Sequence, residues 1–162
     1  MKVSNDDADV GAGCPDRPEW LRPLVLLEVS FEADPAAIRP VRRQLHAALS
    51  ELGLEQVADE VVQAAQELMA NAVEHGCRCR PPKTTVTVKA VYRDEQVRVD
   101  VHDPSDERPQ ERPESGERES GRGLSIVGVL ADRWGVKMNR AGTGKSVWLE
   151  FDAPFVRGEQ AS

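Results

Sequence analysis

The chain has 162 residues, with 21 basic and 28 acidic side chains and a formal net charge of −7. That length suits one domain, and the acidic balance excludes a chain that holds DNA or RNA mainly by neutralising phosphates, so no direct nucleic-acid partner is expected. Aromatic residues supply only 4%, so the core must come mostly from Val, Leu and Ala.

Residues 1–22 carry no apolar period and read as a disordered tail. The N-terminus lacks the apolar core of a secretory signal, and the longest apolar run, around Leu24 to Leu27, is too short to span a bilayer. A cytoplasmic location with no membrane association is the expectation. Leu24 to Phe31 is the first strand, with Val25, Leu27, Val29 and Phe31 expected on one face. Asp34-Pro35 then reads as an N-cap followed by a first-turn proline. Ile38, Val41, Leu45, Leu49 and Leu52 recur at helical spacing up to Gly53, leaving Arg39, Arg42 and Arg43 facing solvent or an acidic neighbour. A second helix is expected from about Glu55 to His75, with Gly76 as its C-cap.

Thr84 to Tyr92 and Val97 to Val101 alternate in the manner of a β-hairpin around a turn at Arg93 to Gln96. Residues 104–120 hold three prolines and six acids against three arginines, and read as a mobile loop. A third helix should follow Gly123, its apolar period running through Leu130 and Ala131 to Trp134. Val136 to Met138 and Ser146 to Phe151 read as closing strands joined by a turn at Gly142 to Gly144. The order β-α-α-β-β-loop-α-β-β predicts an α+β fold: a two-layer α/β sandwich with a mixed, mostly antiparallel sheet and helices on one face. The folded domain should cover residues 23–153, with residues 154–162 as a C-terminal tail.

Three features could carry chemistry. Glu67, Asn71 and His75 are spaced four apart and stack on one face of the second helix, in an otherwise apolar run. A carboxamide oxygen is a hard ligand for Mg²⁺, and a carboxylate one turn away can orient or deprotonate a hydroxyl; a solvated stripe on an amphipathic helix has the same spacing. Asp103 ends a strand where a loop opens, so it can accept from an exocyclic amine such as adenine N6, or simply form a turn. Gly121-Arg122-Gly123-Leu124 precedes the third helix, where glycines and free N–H groups can cradle phosphates, or merely make a loop flexible. Gly142 to Ser146 is not a P-loop: Asn139 stands where the first glycine should be, and a strand follows instead of a helix. Cys14, Cys77 and Cys79 show no disulfide framework, and Cys77-Arg78-Cys79 with His75 lacks the second ligand pair of a structural zinc site.

Together and in order, these pieces resemble the GHKL superfamily of Bergerat-fold, histidine-kinase-like ATPases over residues 24–152. Within it they look most like the RsbW/SpoIIAB-type anti-sigma factors, which are serine protein kinases. Glu67-Leu68-Met69-Ala70-Asn71-Ala72-Val73-Glu74-His75-Gly76 looks like the N box of the family. The resemblance implies ATP and Mg²⁺ as cofactors, Asn71 as the metal ligand and Glu67 as general base. It places Asp103 on the adenine amine, and Gly121, Arg122, Gly123 and Leu124 in the second glycine box at the phosphates. Residues 104–120 would be the ATP lid. Ser146 would supply the hydroxyl beside adenine, with Lys145 as the other residue able to hold that alignment position. One departure stands out: the first glycine box, usually Asp-x-Gly-x-Gly, here reads Asp103-Pro104-Ser105-Asp106-Glu107.

The function implied is an ATP-binding regulator that transfers the γ-phosphate to a serine of a partner protein and controls transcription by protein–protein binding. The alternative is a non-catalytic, partner-sequestering module on the same fold. Its expected partners are protein: a sigma factor, an anti-anti-sigma factor, or a second copy of the chain in a homodimer.

Overall fold

The computed structural model describes residues 22–78, 81, 83–105, 123–139 and 143–155. The N-terminal tail, most of the 104–120 loop, Gly121 and Arg122 lie outside the described residues. In chain order the elements are strand β1 (Leu24–Glu32), helix α1 (Pro35–Glu51), helix α2 (Glu55–Asn71) continued by a π-helical turn (Ala72–Gly76), strands β2 (Thr85–Arg93) and β3 (Gln96–Asp103), helix α3 (Gly123–Leu130), and strands β4 (Arg133–Met138) and β5 (Lys145–Asp152).

The strands form one sheet in the order β1-β2-β3-β5-β4, and every neighbouring pair is antiparallel. The expected two-layer α+β sandwich is thus present, its sheet wholly antiparallel. Alternation decides which face the helices cover. Val86, Val88, Ala90 and Tyr92 of β2, Val97, Val99 and Val101 of β3, and Val147, Leu149 and Phe151 of β5 are buried in one core with Ile38, Val41, Leu45 and Leu49 of α1 and Val61, Ala65, Leu68 and Met69 of α2. The opposite face carries polar side chains. Arg98 stacks over Trp148 at 4.3 Å and bonds both Asp100 and Glu150, while Arg133 bonds Glu150 and Asp152.

Local chemistry sets the boundaries. Asp34 caps α1 by accepting from the Ala36 N–H at 2.8 Å, with Pro35 in the first turn. Gly53 adopts φ +77°, the left-handed conformation that ends a helix without a Cβ penalty. Asp94 and Glu95 take φ +53° and +58°, the double left-handed geometry of a tight hairpin turn whose twist matches its strands.

Three expectations need correction. A register irregularity between Val25 and Leu27 puts Val25 opposite Val91, so Val25 leaves the face shared by Leu27, Val29 and Phe31 and half of it is exposed. The third helix stops at Leu130; Trp134 instead lies in β4 opposite Leu149, so the strand starts three residues earlier than its apolar residues suggested. The α-helical winding of the second helix ends at Asn71, and Gly76 closes a π-helical turn with no left-handed φ.

Candidate functional site

Antiparallel pairing brings the end of β1, the start of β2, the end of β3 and the start of β5 to one end of the sheet. The π-helical turn at the end of α2 meets the same end of β3. Residues distant in sequence converge there.

Glu67 and Asn71 sit in the last turns of α2, beside the buried Leu68, Met69 and Ala72. Both are half-buried, and the side chain of neither hydrogen-bonds or ion-pairs with another described residue. Their polar atoms keep access to solvent, since no described side-chain polar atom is buried without a partner, so the pair, one turn apart, is open to a ligand. His75, the third member of the stripe, lies in the π-helical turn, is exposed, and comes within 3.9 Å of Glu74. The structure separates it from the other two by a change in helical winding.

Asp103 has the same strand parity as Val97, Val99 and Val101, so it points into the helical layer and is only 2% exposed. Its Oδ1 accepts from the Ser105 N–H at 2.8 Å and from the Lys145 ammonium at 2.9 Å. Gly76 explains how a carboxylate fits there. A Cβ at Gly76 would lie 2.3 Å from Asp103 Cγ, so the carboxylate rests directly on the backbone of the π-helical turn. Gly76 is therefore required by close approach, where the sequence suggested a helix cap. Gly144 closes the other side: its φ is +108°, and a Cβ there would lie 2.3 Å from the Asp103 carbonyl oxygen.

Ser146 is placed elsewhere. Its register partner is His102, and its Oγ is 3.4 Å from His102 Nδ1 on the polar face of the sheet. The position across from Asp103 is held by Lys145. Both residues are polar, so only the pairing of β5 with β3 decides which one turns inward. Gly76 and Gly144 are the residues at Asp103 that sequence patterning missed as contacts, while Lys145 stood there only as the second choice to Ser146. The parity of β5, with Val147, Leu149 and Phe151 inward, was the available clue for Lys145.

Gly123 and Leu124 open α3, which packs on α2 and contributes the buried Val127. Arg39, Arg42 and Arg43 line a groove of about 530 Å³ between α1 and α2 with His46, Asp59 and Gln63, away from Asp103. Among the described residues no group of three or more His, Cys, Asp or Glu is assembled that could hold a metal ion. No described helix is long and apolar enough to cross a membrane.

This arrangement can offer an exocyclic amine a buried acceptor at Asp103. It can offer a hard cation the Asn71 oxygen, and a hydroxyl a carboxylate at Glu67. The family profile of the histidine kinase-like ATPase domain matches residues 31–151, the span that holds these groups. The chain belongs to the histidine kinase-like ATPase domain family, of the GHKL type, and such a domain implies ATP binding.

Proposed function

We propose that the protein is an ATP-binding regulator of the anti-sigma-factor/serine-protein-kinase type, with Asn71 holding Mg²⁺ and Glu67 as general base. The observation that carries the proposal is the half-buried Glu67–Asn71 pair, whose side chains have no partner among the described residues, on a helix whose π-helical continuation packs Gly76 against Asp103. The donor set fits the group. Mg²⁺ keeps octahedral oxygen ligation and is usually held by one or two protein oxygens together with substrate phosphates. One asparagine oxygen is a suitable protein share.

Bound Mg-ATP would supply the phosphoryl group and a cation to neutralise charge on it. The protein's own residues have four tasks. Asp103 accepts from the adenine amine through Oδ2, which receives no donor from a described residue. Asn71 holds the metal, and the Gly121–Leu124 segment meets the phosphates. Glu67 takes the proton from a serine hydroxyl of the protein substrate as its oxygen bonds to the γ-phosphorus. The bond to the β-phosphate oxygen breaks and ADP leaves. A sigma factor and an anti-anti-sigma factor are the partners this assignment expects, with a homodimer as its oligomeric form.

A second proposal has one specific observation in its favour. The Asp103-Pro104-Ser105 turn folds back on its own aspartate through the Ser105 N–H, where glycines would leave room for a nucleotide. That favours a module that binds and sequesters its partner without phosphoryl transfer.

One set of measurements separates them. Calorimetric titration with Mg-ATP should show binding, and Asn71→Ala should abolish its magnesium dependence. Labelled ATP with an anti-anti-sigma protein should label that protein, and Glu67→Gln should slow labelling by about 10²–10⁴-fold while leaving binding nearly intact. Absence of binding at millimolar nucleotide refutes the ATP site. Binding without labelling leaves the sequestering module.

A further inference from the structure

Three polar residues are buried among the described residues, Asp103, Ser105 and Lys145, and they meet at one point. Lys145 is 5% exposed, and its ammonium is bonded to Asp103 Oδ1 at 2.9 Å. An ammonium has three donors, and this one spends a single donor on the described residues. Burying an ion pair is a costly way to join two strands, because both charges lose their water; a well-packed apolar pair does as well or better. Placement of such a pair at the base-recognition carboxylate calls for a role there.

We infer that Lys145 sets the affinity of the site for the base: it occupies the Asp103 oxygen that an exocyclic amine would otherwise share. This rests on the assignment of Asp103 to the adenine amine. The lysine adds the attraction of opposite charges to its hydrogen bond with the carboxylate, which a neutral donor lacks, so the neutral 6-amino group does not displace it. Lys145 is also tethered in place, being the register partner of Asp103 across β3 and β5. The carboxylate is pinned as well. Gly76 backs the carboxylate and Gly144 backs the Asp103 carbonyl, each so close that a Cβ would lie 2.3 Å away. Asp103 therefore cannot swing from the lysine toward a base. Adenine is left with Oδ2, beside an ammonium that has already neutralised much of the carboxylate's charge. The wild-type protein thus discriminates poorly between a purine that carries a 6-amino group and one that lacks it.

The test measures binding of ATP and of purine riboside 5′-triphosphate, which lacks the 6-amino group, each with Mg²⁺. The full chain is used as wild type, Lys145→Met and Lys145→Gln. Preference for ATP over the analogue should rise about tenfold in Lys145→Met and less in Lys145→Gln, which keeps a neutral donor. Melting of the nucleotide-free Lys145→Met protein should occur at a lower temperature than wild type, and ATP should restore more of that loss than the analogue does. An unchanged or reduced ATP preference, with or without the fall in melting temperature, makes the ion pair purely structural and overturns the inference. If Lys145→Met does not fold, Lys145→Gln carries the comparison with the same expected sign. Failure of ATP to bind wild type and variants alike overturns the assignment of Asp103 itself, and the role of Lys145 with it. ATP binding with unchanged preference removes only the role of Lys145.

Discussion

Gly76 and Gly128 are both glycines on helical segments, and their surroundings predict opposite outcomes for the same substitution. A Cβ on Gly76 would meet Asp103 Cγ, Oδ1 and Oδ2 at 2.3, 2.5 and 2.7 Å. That side chain cannot give way, because Lys145 and Ser105 hold it. Gly76→Ala should therefore destabilise the fold by about 1–3 kcal/mol, the usual range for overpacking a tight interior. A Cβ on the exposed Gly128 would meet only Trp134 Nε1, at an ordinary 3.6 Å. Gly128→Ala in α3 should stabilise by up to about 1 kcal/mol by removing the backbone entropy of glycine from a helix. Urea unfolding of the two variants checks both signs. At this scale the sequence shows that glycine stands at the end of the second helix, but not why. The reason is a carboxylate that arrives from β3, 27 residues later in the chain.

At the scale of elements, patterns set by a single segment were legible and those set by a partner segment were not. The apolar period of α1, its Asp34 cap and the alternation of β2 and β3 each follow from one stretch of chain, and the structure has them. The shift in β1 near Val25 depends on β2, and the assignment of Trp134 to β4 depends on β5. Trp134 continues the helical period of α3 and also fits a strand, and only pairing with Leu149 decides the matter. The inward turn of Lys145 and outward turn of Ser146 follow the same rule.

The polar face of the β3–β5–β4 region gives an element-scale prediction. A hydrogen bond from Arg133 pulls the Asp152 carboxyl below its ordinary value of 3.8. A carboxyl lowered in the folded state stabilises it above that ordinary value, and the contribution fades as pH falls through the lowered one. Arg133→Gln removes the largest cause of the shift and leaves the weaker hydrogen bond from Gln96. Acid unfolding of Arg133→Gln should thus begin at higher pH than in wild type, and the two proteins should differ little once the pH is well below 3.8. Since the pair is exposed, the difference near neutral pH should be small and should shrink with salt. Circular dichroism along a pH series reads this directly; coincident curves would remove Arg133 as the source.

The charge of the whole molecule bears on how it meets a nucleotide. A chain of net charge −7, with an excess of three acids over arginines in residues 104–120, repels a free triphosphate. Mg²⁺ lowers the ligand's charge and, on the proposed assignment, brings a cation for the Asn71 oxygen, so metal and nucleotide should bind as one unit. Linkage gives the size of the effect: a ligand at one hundred times its Kd adds about 2.7 kcal/mol of stability. In a domain of this length each kcal/mol moves Tm by about 2–4 °C, so Mg-ATP should raise Tm by roughly 5–10 °C at that concentration. ATP with a chelator at the same concentration should raise it far less at low salt. The deficit should narrow as added salt shortens the screening length from about 10 Å toward 3 Å and weakens the repulsion. Differential scanning calorimetry at two salt concentrations tests both parts. Equal shifts with and without magnesium at low salt would mean that neither the acidic field nor Asn71 governs nucleotide binding.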